Sequence, residues 1–310
     1  MLYAAIKILK IYHYMGHLST NIWIDCDPGL DDFFAIKLAI NSVRVNIVGI
    51  STVGGNCSVY QATQNAISAI SPFNNKIPIY MGSERSYSGE NFRYALDIHG
   101  RYGLPVKQNT TNLKSFNIDA QRGMKLFFDK SSSPITIVAL GPLTNIAKFI
   151  KANSESMKNV ERIIVMGGAI SVPGNITKYA EFNIWNDPKA SKIVFSSEIP
   201  IYLVGLDVTN YIHASRQDLN KMGKLSCEIM EPWFKQNKPG AVFHFHDSLA
   251  VLTVIKPNYF TFETKRITVE TSGKSIGQTK LSQTGSLVNV ATVLSHGLTK
   301  KYLIKNMLSI

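Results

Sequence analysis

The stretch Ile22-Trp23-Ile24-Asp25-Cys26-Asp27-Pro28-Gly29-Leu30-Asp31-Asp32-Phe33-Phe34 places four aspartates within eight residues, between two apolar runs. Ile22, Trp23 and Ile24 read as the end of a buried strand, and Phe33, Phe34, Ile36, Leu38 and Ala39 recur as an apolar stripe does on a helix. The acidic run is therefore a strand-to-helix turn. Asp25 and Asp27, two apart on extended chain, point to the same side; Pro28-Gly29 breaks the strand, and Asp31 and Asp32 open the helix. The helix dipole favours carboxylates there by only ~0.3–1 kcal/mol each, and their mutual repulsion opposes it. A bound cation resolves that conflict. Clustered carboxylates without a Cys-x-x-Cys or His-rich spacing suit Ca²⁺ or Mg²⁺ better than zinc. The plain structural reading makes Asp25, Asp31 and Asp32 helix caps and Asp27 a solvated group. Several carboxylates around a Pro-Gly turn, at the C-terminal end of a first strand where open α/β sheets bind ligands, favour a site instead.

Outward from this turn the pattern alternates. Val45 to Val53 is a β-rich run ending in Gly54-Gly55-Asn56, followed by a helical stretch from Ser58 to Ile70. Ile77 to Tyr80 is a short strand, Asp119 to Phe128 a helix, Ile135 to Leu140 a strand ending at Gly141-Pro142, and Leu143 to Ile150 a helix. Arg162 to Met166 is again a strand, Pro188 to Val194 a helix and Ile201 to Val204 a strand. Strands alternating with helices predict an α/β fold with right-handed crossovers and a mostly parallel sheet, whose polar strand ends meet along one edge. Beyond Thr209 the chain turns more helical, before a β-rich stretch from Phe260 to Thr271.

The composition is that of an ordinary globular protein: 310 residues, 45% hydrophobic and 17% charged, with no linker, repeat or low-complexity tract. Residues 21–310 read as one domain, and residues 1–20 as an N-terminal extension in which Met15 marks an alternative start. The net charge of +12 is spread along the chain without a basic block or nucleic-acid-binding motif, so no nucleic-acid partner is expected. No run approaches the ~18–20 apolar residues of a membrane span. Cys26, Cys57 and Cys227, an odd number at unrelated spacings, point to reduced thiols and a cytoplasmic location.

Further along, His246-Asp247 opens an apolar helical run through Leu249, Val251, Leu252 and Val254. Asp247 is either a helix cap or a distant metal ligand with a proton donor beside it. Asn175, Glu181 and Asn183 offer donors and acceptors suited to a polyhydroxylated ligand such as a sugar, although each alone is an ordinary loop residue. His99, beside Gly100, carries no signal of its own.

Taken together, these residues resemble the nucleoside hydrolase family, the inosine-uridine preferring type and its relatives. The resemblance spans Asn21 to Ala250 and rests on five marks in order: Asp25 to Asp32, Gly55-Asn56, Leu140-Gly141-Pro142-Leu143-Thr144-Asn145, Glu181-Phe182-Asn183 and His246-Asp247. It implies an open, mostly parallel Rossmann-like sheet with the active site at the C-terminal ends of the strands. It implies a Ca²⁺ held by Asp27, Asp32, Asp247 and the main-chain carbonyl of Leu140, with Asp27 also the general base toward a water held by that ion. By the same resemblance Asp31, Asn56, Asn175, Glu181 and Asn183 contact the ribose, Met166 lines the sugar pocket, and Asp25 orders the turn. His246 is the implied acid for the departing base, with His99 on the nucleobase side. The implied reaction is hydrolysis of a ribonucleoside to ribose and free base by a homodimer or homotetramer.

A His at position 246 resembles the broad or pyrimidine-accepting members; purine-selective members stack the base between tryptophans, and Trp185 and Trp233 are not at obviously matching positions. A purine-specific hydrolase and a nucleoside-binding protein without turnover stand as alternatives. A phosphohydrolase with an aspartyl nucleophile would leave the Glu181 and His246 groups unexplained.

Overall fold

The computed structural model describes residues 19–71, 77–105 and 118–307, so most of the expected N-terminal extension lies outside the described residues. The first half contains β1 (Thr20–Cys26), α1 (Leu30–Ile40), β2 (Val45–Thr52), α2 (Val59–Ile70), β3 (Ile79–Met81), α3 (Leu96–His99), α4 (Ala120–Phe128), β4 (Ile135–Ala139) and α5 (Thr144–Ala152). There follow β5 (Val160–Met166), α6 (Phe182–Asn186), α7 (Pro188–Phe195), β6 (Ile201–Val204), α8 (Leu206–Thr209), β7 (His213–Ser215) and α9 (Lys224–Gln236). The chain continues through β8 (Val242–His244), α10 (His246–Ile255), β9 (Phe260–Val269), β10 (Thr279–Leu281), β11 (Ser286–Leu294) and α11 (His296–Met307).

Six strands run parallel in the order β3-β2-β1-β4-β5-β6; β11 adds in parallel beside β6, and β9 and β10 extend that edge antiparallel. From β1 the chain winds to β3, then returns to place β4 on the other flank of β1. That reversal opens a crevice at the C-terminal ends of β1 and β4, where open α/β sheets take their ligands. Asp25 lies opposite Ala139, and Cys26 opposite Thr52, so Asp27 and Leu140 emerge side by side.

β1 is buried on both faces, as a central parallel strand must be. Ile22, Ile24 and Cys26 enter one hydrophobic cluster and Trp23 the other. On the second face Trp23 stacks on Tyr80, with ring centres 5.6 Å apart, and donates from Nε1 to Ser51 Oγ at 2.9 Å.

α1 departs from the apolar stripe expected of it, because nearly every residue from Leu30 to Ala39 is buried. Neighbours surround the helix: α10, α2, β2 and α11 all pack on it. Even Lys37 is enclosed, with its ammonium 5.0 Å from the Phe33 ring centre. The bulk of Phe34 has a consequence for the site, since its ring meets Phe243 at 6.1 Å and Phe245 at 6.3 Å. Those contacts hold the start of α10 against the start of α1. Other expected bounds move by a residue or two. The third strand begins at Ile79 rather than Ile77, and Ser58 caps α2 from outside, its hydroxyl accepting from the Gln61 N–H at 3.3 Å.

Candidate active site

The floor of the crevice starts below the surface, at Asp25. Its Oδ1 accepts from the Ser51 hydroxyl and, at 2.8 Å, from Asn145 Nδ2. Asn145 also donates to the Thr52 carbonyl at 2.9 Å and accepts from the Ser83 N–H at 2.9 Å. One buried amide thus joins β1, β2 and the loop after β3. Burial holds the Asp25 carboxyl at about 7, against an ordinary 3.8, although both hydrogen bonds pull the other way.

Above it, Asp27 Oδ2 accepts from the Asn56 main-chain N–H at 2.7 Å, and Asn56 Nδ2 donates to Asp32 Oδ2 at 3.2 Å. Asp32 Oδ2 also accepts from the Gly29 N–H at 2.9 Å, which fixes the first turn of α1. Two glycines cradle Asp27: a Cβ at Gly55 would collide with Oδ2, and one at Gly141 would lie 2.6 Å from Oδ1. Both come from the strand-end motifs read in the sequence.

Among the described residues, carboxylate oxygens of Asp31, Asp32 and Asp247 lie within 4.8 Å of one another. They stand in the first turns of α1 and α10, whose positive dipole ends converge there. Burial, then the Asp31 carboxylate, raises Asp32 to about 7; Asp27 and Asp247 are raised as well, in both cases by burial first. Asp27 Oδ1 and Asp31 Oδ1 are buried without any hydrogen-bond partner. Orphaned buried carboxylate oxygens are costly. An all-oxygen cluster with unsatisfied atoms fits a hard divalent cation, and the cluster can bind a metal. Asp31, assigned to the sugar by resemblance, contributes to this cluster and to the cavity wall alike.

The cavity over this floor has a volume of about 380 Å³. One wall is polar. Glu181 accepts from the main-chain N–H groups of Gly168, Asn183 and Ile184 at 3.0, 3.0 and 3.2 Å, and burial raises it to about 6. Asn183 Nδ2 donates to the carbonyls of Leu140 at 2.6 Å and Met166 at 3.2 Å. One lone pair of the Leu140 carbonyl is therefore already engaged, leaving the second. Met166 lines the same wall, and Asn175 stands at the exposed rim, its Oδ1 accepting from the Phe182 N–H at 2.9 Å.

The opposite wall carries histidines and aromatic groups. His99 Nδ1 accepts from the Leu30 N–H at 3.1 Å, so His99 caps the start of α1 as well as lining the cavity. Burial lowers its basicity. His246 bonds Thr209 Oγ1 through Nδ1 at 2.8 Å and stacks on His244, with ring centres 5.3 Å apart. Burial pushes His246 down to about 4 from an ordinary 6.5, so the ring is neutral near pH 7. Trp233 reaches the cavity too and donates from Nε1 to the Ile98 carbonyl at 3.1 Å; Trp185 lies outside it.

The structure gathers Asp27, Asp31, Asp32, Asn56, Leu140, Met166, Glu181, Asn183, His99, His246 and Asp247 at one crevice, with Asn175 at its edge. Not foreseen were Asn145 as the tie beneath Asp25, and His244, Thr209 and Ile98 around the second wall. Asn145 was visible at the end of the Leu140 to Asn145 motif, and His244 in the alternation Phe243-His244-Phe245-His246. The Trp233–Ile98 pairing joins residues 135 apart, for which no local signal exists. Among the described residues no helix is long and apolar enough to cross a membrane.

The chain is 34% identical over 285 residues to a probable uridine nucleosidase 2 of Oryza sativa, covering 87% of this chain and 84% of that protein. It is 34% identical over 284 residues to the non-specific ribonucleoside hydrolase RihC of Shigella sonnei, covering 88% and 91%. A solved plant nucleoside hydrolase superposes with a TM-score of 0.88 at 26% identity, over 94% of this chain and 99% of that one. The model of the inosine-uridine preferring nucleoside hydrolases matches residues 22–301. With the crevice, the acidic floor and these likenesses in agreement, the chain belongs to the inosine-uridine preferring nucleoside hydrolase family and is an enzyme of that type.

Proposed function

We propose that this enzyme hydrolyses the N-glycosidic bond of ribonucleosides in a Ca²⁺-dependent reaction with broad, uridine-accepting base preference. The observation that carries the calcium reading is the buried cluster of Asp31, Asp32 and Asp247, with an orphaned carboxylate oxygen on Asp31 (Oδ1) and another on Asp27 (Oδ1), whose main-chain N–H donates to Asp32 at 3.3 Å. Asp27, Asp32, Asp247 and the free lone pair of the Leu140 carbonyl would hold the ion, with Asp31 beside them. Bound there, Ca²⁺ would supply Lewis acidity toward water and an anchor for the ribose hydroxyls.

Asp27 takes the proton of the attacking water, whose oxygen forms the new bond to the anomeric carbon. The carbon–nitrogen bond breaks with its electron pair going to the base. Positive charge builds on the sugar as this happens, and the ionised floor stabilises it. Asn56, Asn175, Glu181 and Asn183, with Asp31, orient the ribose, and Met166 packs beside it. His246, neutral near pH 7, serves the departing base as a hydrogen-bond donor rather than as a stored proton. His99, tied to the start of α1, borders the same end of the cavity.

Uridine acceptance is supported by the relatives, two of which are named uridine nucleosidases and another a non-specific ribonucleoside hydrolase. With Trp185 outside the cavity, no pair of tryptophans is available to sandwich a purine. The surrounding proposals are one domain over residues 21–310, a cytoplasmic homodimer or homotetramer, and no nucleic-acid or membrane partner. A sheet with strands from both ends of that range supports the first, and three free cysteines support the compartment.

Replacing Asp27 by Ala or Asn tests the mechanism. Turnover of uridine is expected to fall by about a hundredfold or more, the scale of a lost general base. Near-normal release of uracil by either variant would overturn the assignment.

A further inference from the structure

The His246 imidazole has two nitrogens on opposite edges, and its ring lines the cavity. Nδ1 lies 2.8 Å from the hydroxyl oxygen of Thr209, which leaves Nε2 as the ring nitrogen open to a substrate. A neutral imidazole carries its proton on one nitrogen alone, so the partner of Nδ1 decides what Nε2 offers. Thr209 is fully buried, and its hydroxyl bonds no other group among the described residues. Were Nδ1–H the donor, the hydroxyl hydrogen would be left unsatisfied in the interior, at a cost of ~1–3 kcal/mol. The favoured arrangement has the hydroxyl donating to Nδ1 and the ring proton on Nε2.

We propose that Thr209 is a positioning residue for this enzyme, its buried hydroxyl fixing His246 in the tautomer whose Nε2–H faces the departing nucleobase. The inference rests on the reading of His246 as the donor to the base. Thr209 is suited to the task because its own place is rigid. It ends α8, directly behind β6, with its N–H on the Gly205 carbonyl at 3.1 Å and its carbonyl accepting from the Ile212 N–H at 3.2 Å. The His244 ring lies almost parallel to His246, with 12° between the planes.

The chemical consequence concerns the leaving group. As the glycosidic bond breaks, the base gains the electron pair, and an Nε2–H hydrogen bond to it strengthens. In the other tautomer an Nε2 lone pair would face that growing negative charge. Loss of the Thr209 hydroxyl therefore slows departure of a poor leaving group such as uracil, and matters far less for p-nitrophenolate, which departs without a donor.

The test compares uridine with p-nitrophenyl ribofuranoside on the calcium-supplemented full-length protein, for wild type, Thr209→Val, Thr209→Ser and His246→Ala. Thr209→Val is expected to raise the ratio of nitrophenyl-riboside to uridine turnover about tenfold or more, on the scale of a misplaced donor. Thr209→Ser is expected to restore the wild-type ratio. The histidine ¹⁵N spectrum should show His246 protonated on Nε2 in wild type, and a mixture of tautomers in Thr209→Val. If Thr209→Val slows both substrates equally, its role is structural and the proposal fails; an unchanged ¹⁵N signature sinks it as well. If His246→Ala leaves the ratio unmoved, the reading of His246 fails first and takes the proposal with it. A shift in His246→Ala without one in Thr209→Val rejects Thr209 alone.

Discussion

Asn145 donates to Asp25 at 2.8 Å across 120 residues of sequence, and this bond ties the turn after β4 to the floor of the acidic run on β1. The same side chain satisfies the Thr52 carbonyl and the Ser83 N–H. Asn145→Ala therefore removes three hydrogen bonds at once and takes this partner from the buried Thr52 carbonyl and the part-buried Ser83 N–H, while Asp25 keeps the Ser51 hydroxyl; a buried group left unpaired costs ~1–3 kcal/mol. A fall in thermal and denaturant midpoints equivalent to at least the lower bound is expected. Wild-type stability in this variant would show that the tie carries no weight.

Gly55 and Gly141 act through space. A methyl group at Gly55 collides with Asp27 Oδ2, and one at Gly141 lies 2.6 Å from Oδ1, so either must push the carboxylate out of place. Gly55→Ala and Gly141→Ala are expected to weaken calcium binding and uridine turnover together, by about tenfold or more, as displacement of a ligand or its support does. Calorimetric titration with Ca²⁺ reads the first effect and uracil release the second. Unchanged calcium affinity in both variants would remove Asp27 from the ligand set.

The pH dependence of stability has a sign that can be worked out. Burial raises Asp25 and Asp32 from 3.8 to about 7 and Glu181 from 4.5 to about 6, and it raises Asp27 and Asp247 as well. Across that window the folded chelated protein holds more protons than the unfolded chain, so stability is lost as pH rises toward 7. His246, lowered from 6.5 to about 4, works in the opposite direction, its contribution being lost as pH falls. The carboxylates outnumber it. In chelator, the melting temperature should fall by several degrees between about pH 5 and about pH 8. Calcium should raise it more at the higher pH, because the ion binds ionised carboxylates. A chelated protein that gains stability over that range would contradict the electrostatic account.

Trp233 fixes Ile98 through one hydrogen bond, and Trp233→Phe removes that bond while keeping a ring in the wall. A net hydrogen bond of ~0.5–1.5 kcal/mol corresponds to a rise in KM of roughly two- to tenfold, with kcat less affected. Steady-state kinetics on uridine and inosine separates the two constants. A loss confined to kcat would place Trp233 with the chemistry instead of with the base wall.

The alternation of strand and helix was legible because a parallel sheet buries whole strands. The runs at Ile22 to Ile24, Ile135 to Ala139 and Ile201 to Val204 are apolar for that reason. The acidic turn was legible because four carboxylates are too many for one helix start. The full burial of α1 was not, since an apolar series on one helix does not say how many neighbours will surround it. Phe34 shows this most clearly: its ring packs on Phe243 and Phe245, just before the helix start that carries Asp247. The bonds from Asn145 to Asp25 and from Trp233 to Ile98 depend on how distant segments are folded together, so no local spacing records them.

The central claim is calcium-dependent hydrolysis of ribonucleosides at the crevice between β1 and β4. It is tested most directly by free-base release from inosine, adenosine, guanosine, uridine and cytidine, with calcium, with chelator, and with calcium restored. The account predicts release with calcium, uridine among the good substrates, loss of release in chelator and recovery on restoring the ion. Equal release in chelator and in calcium would contradict it.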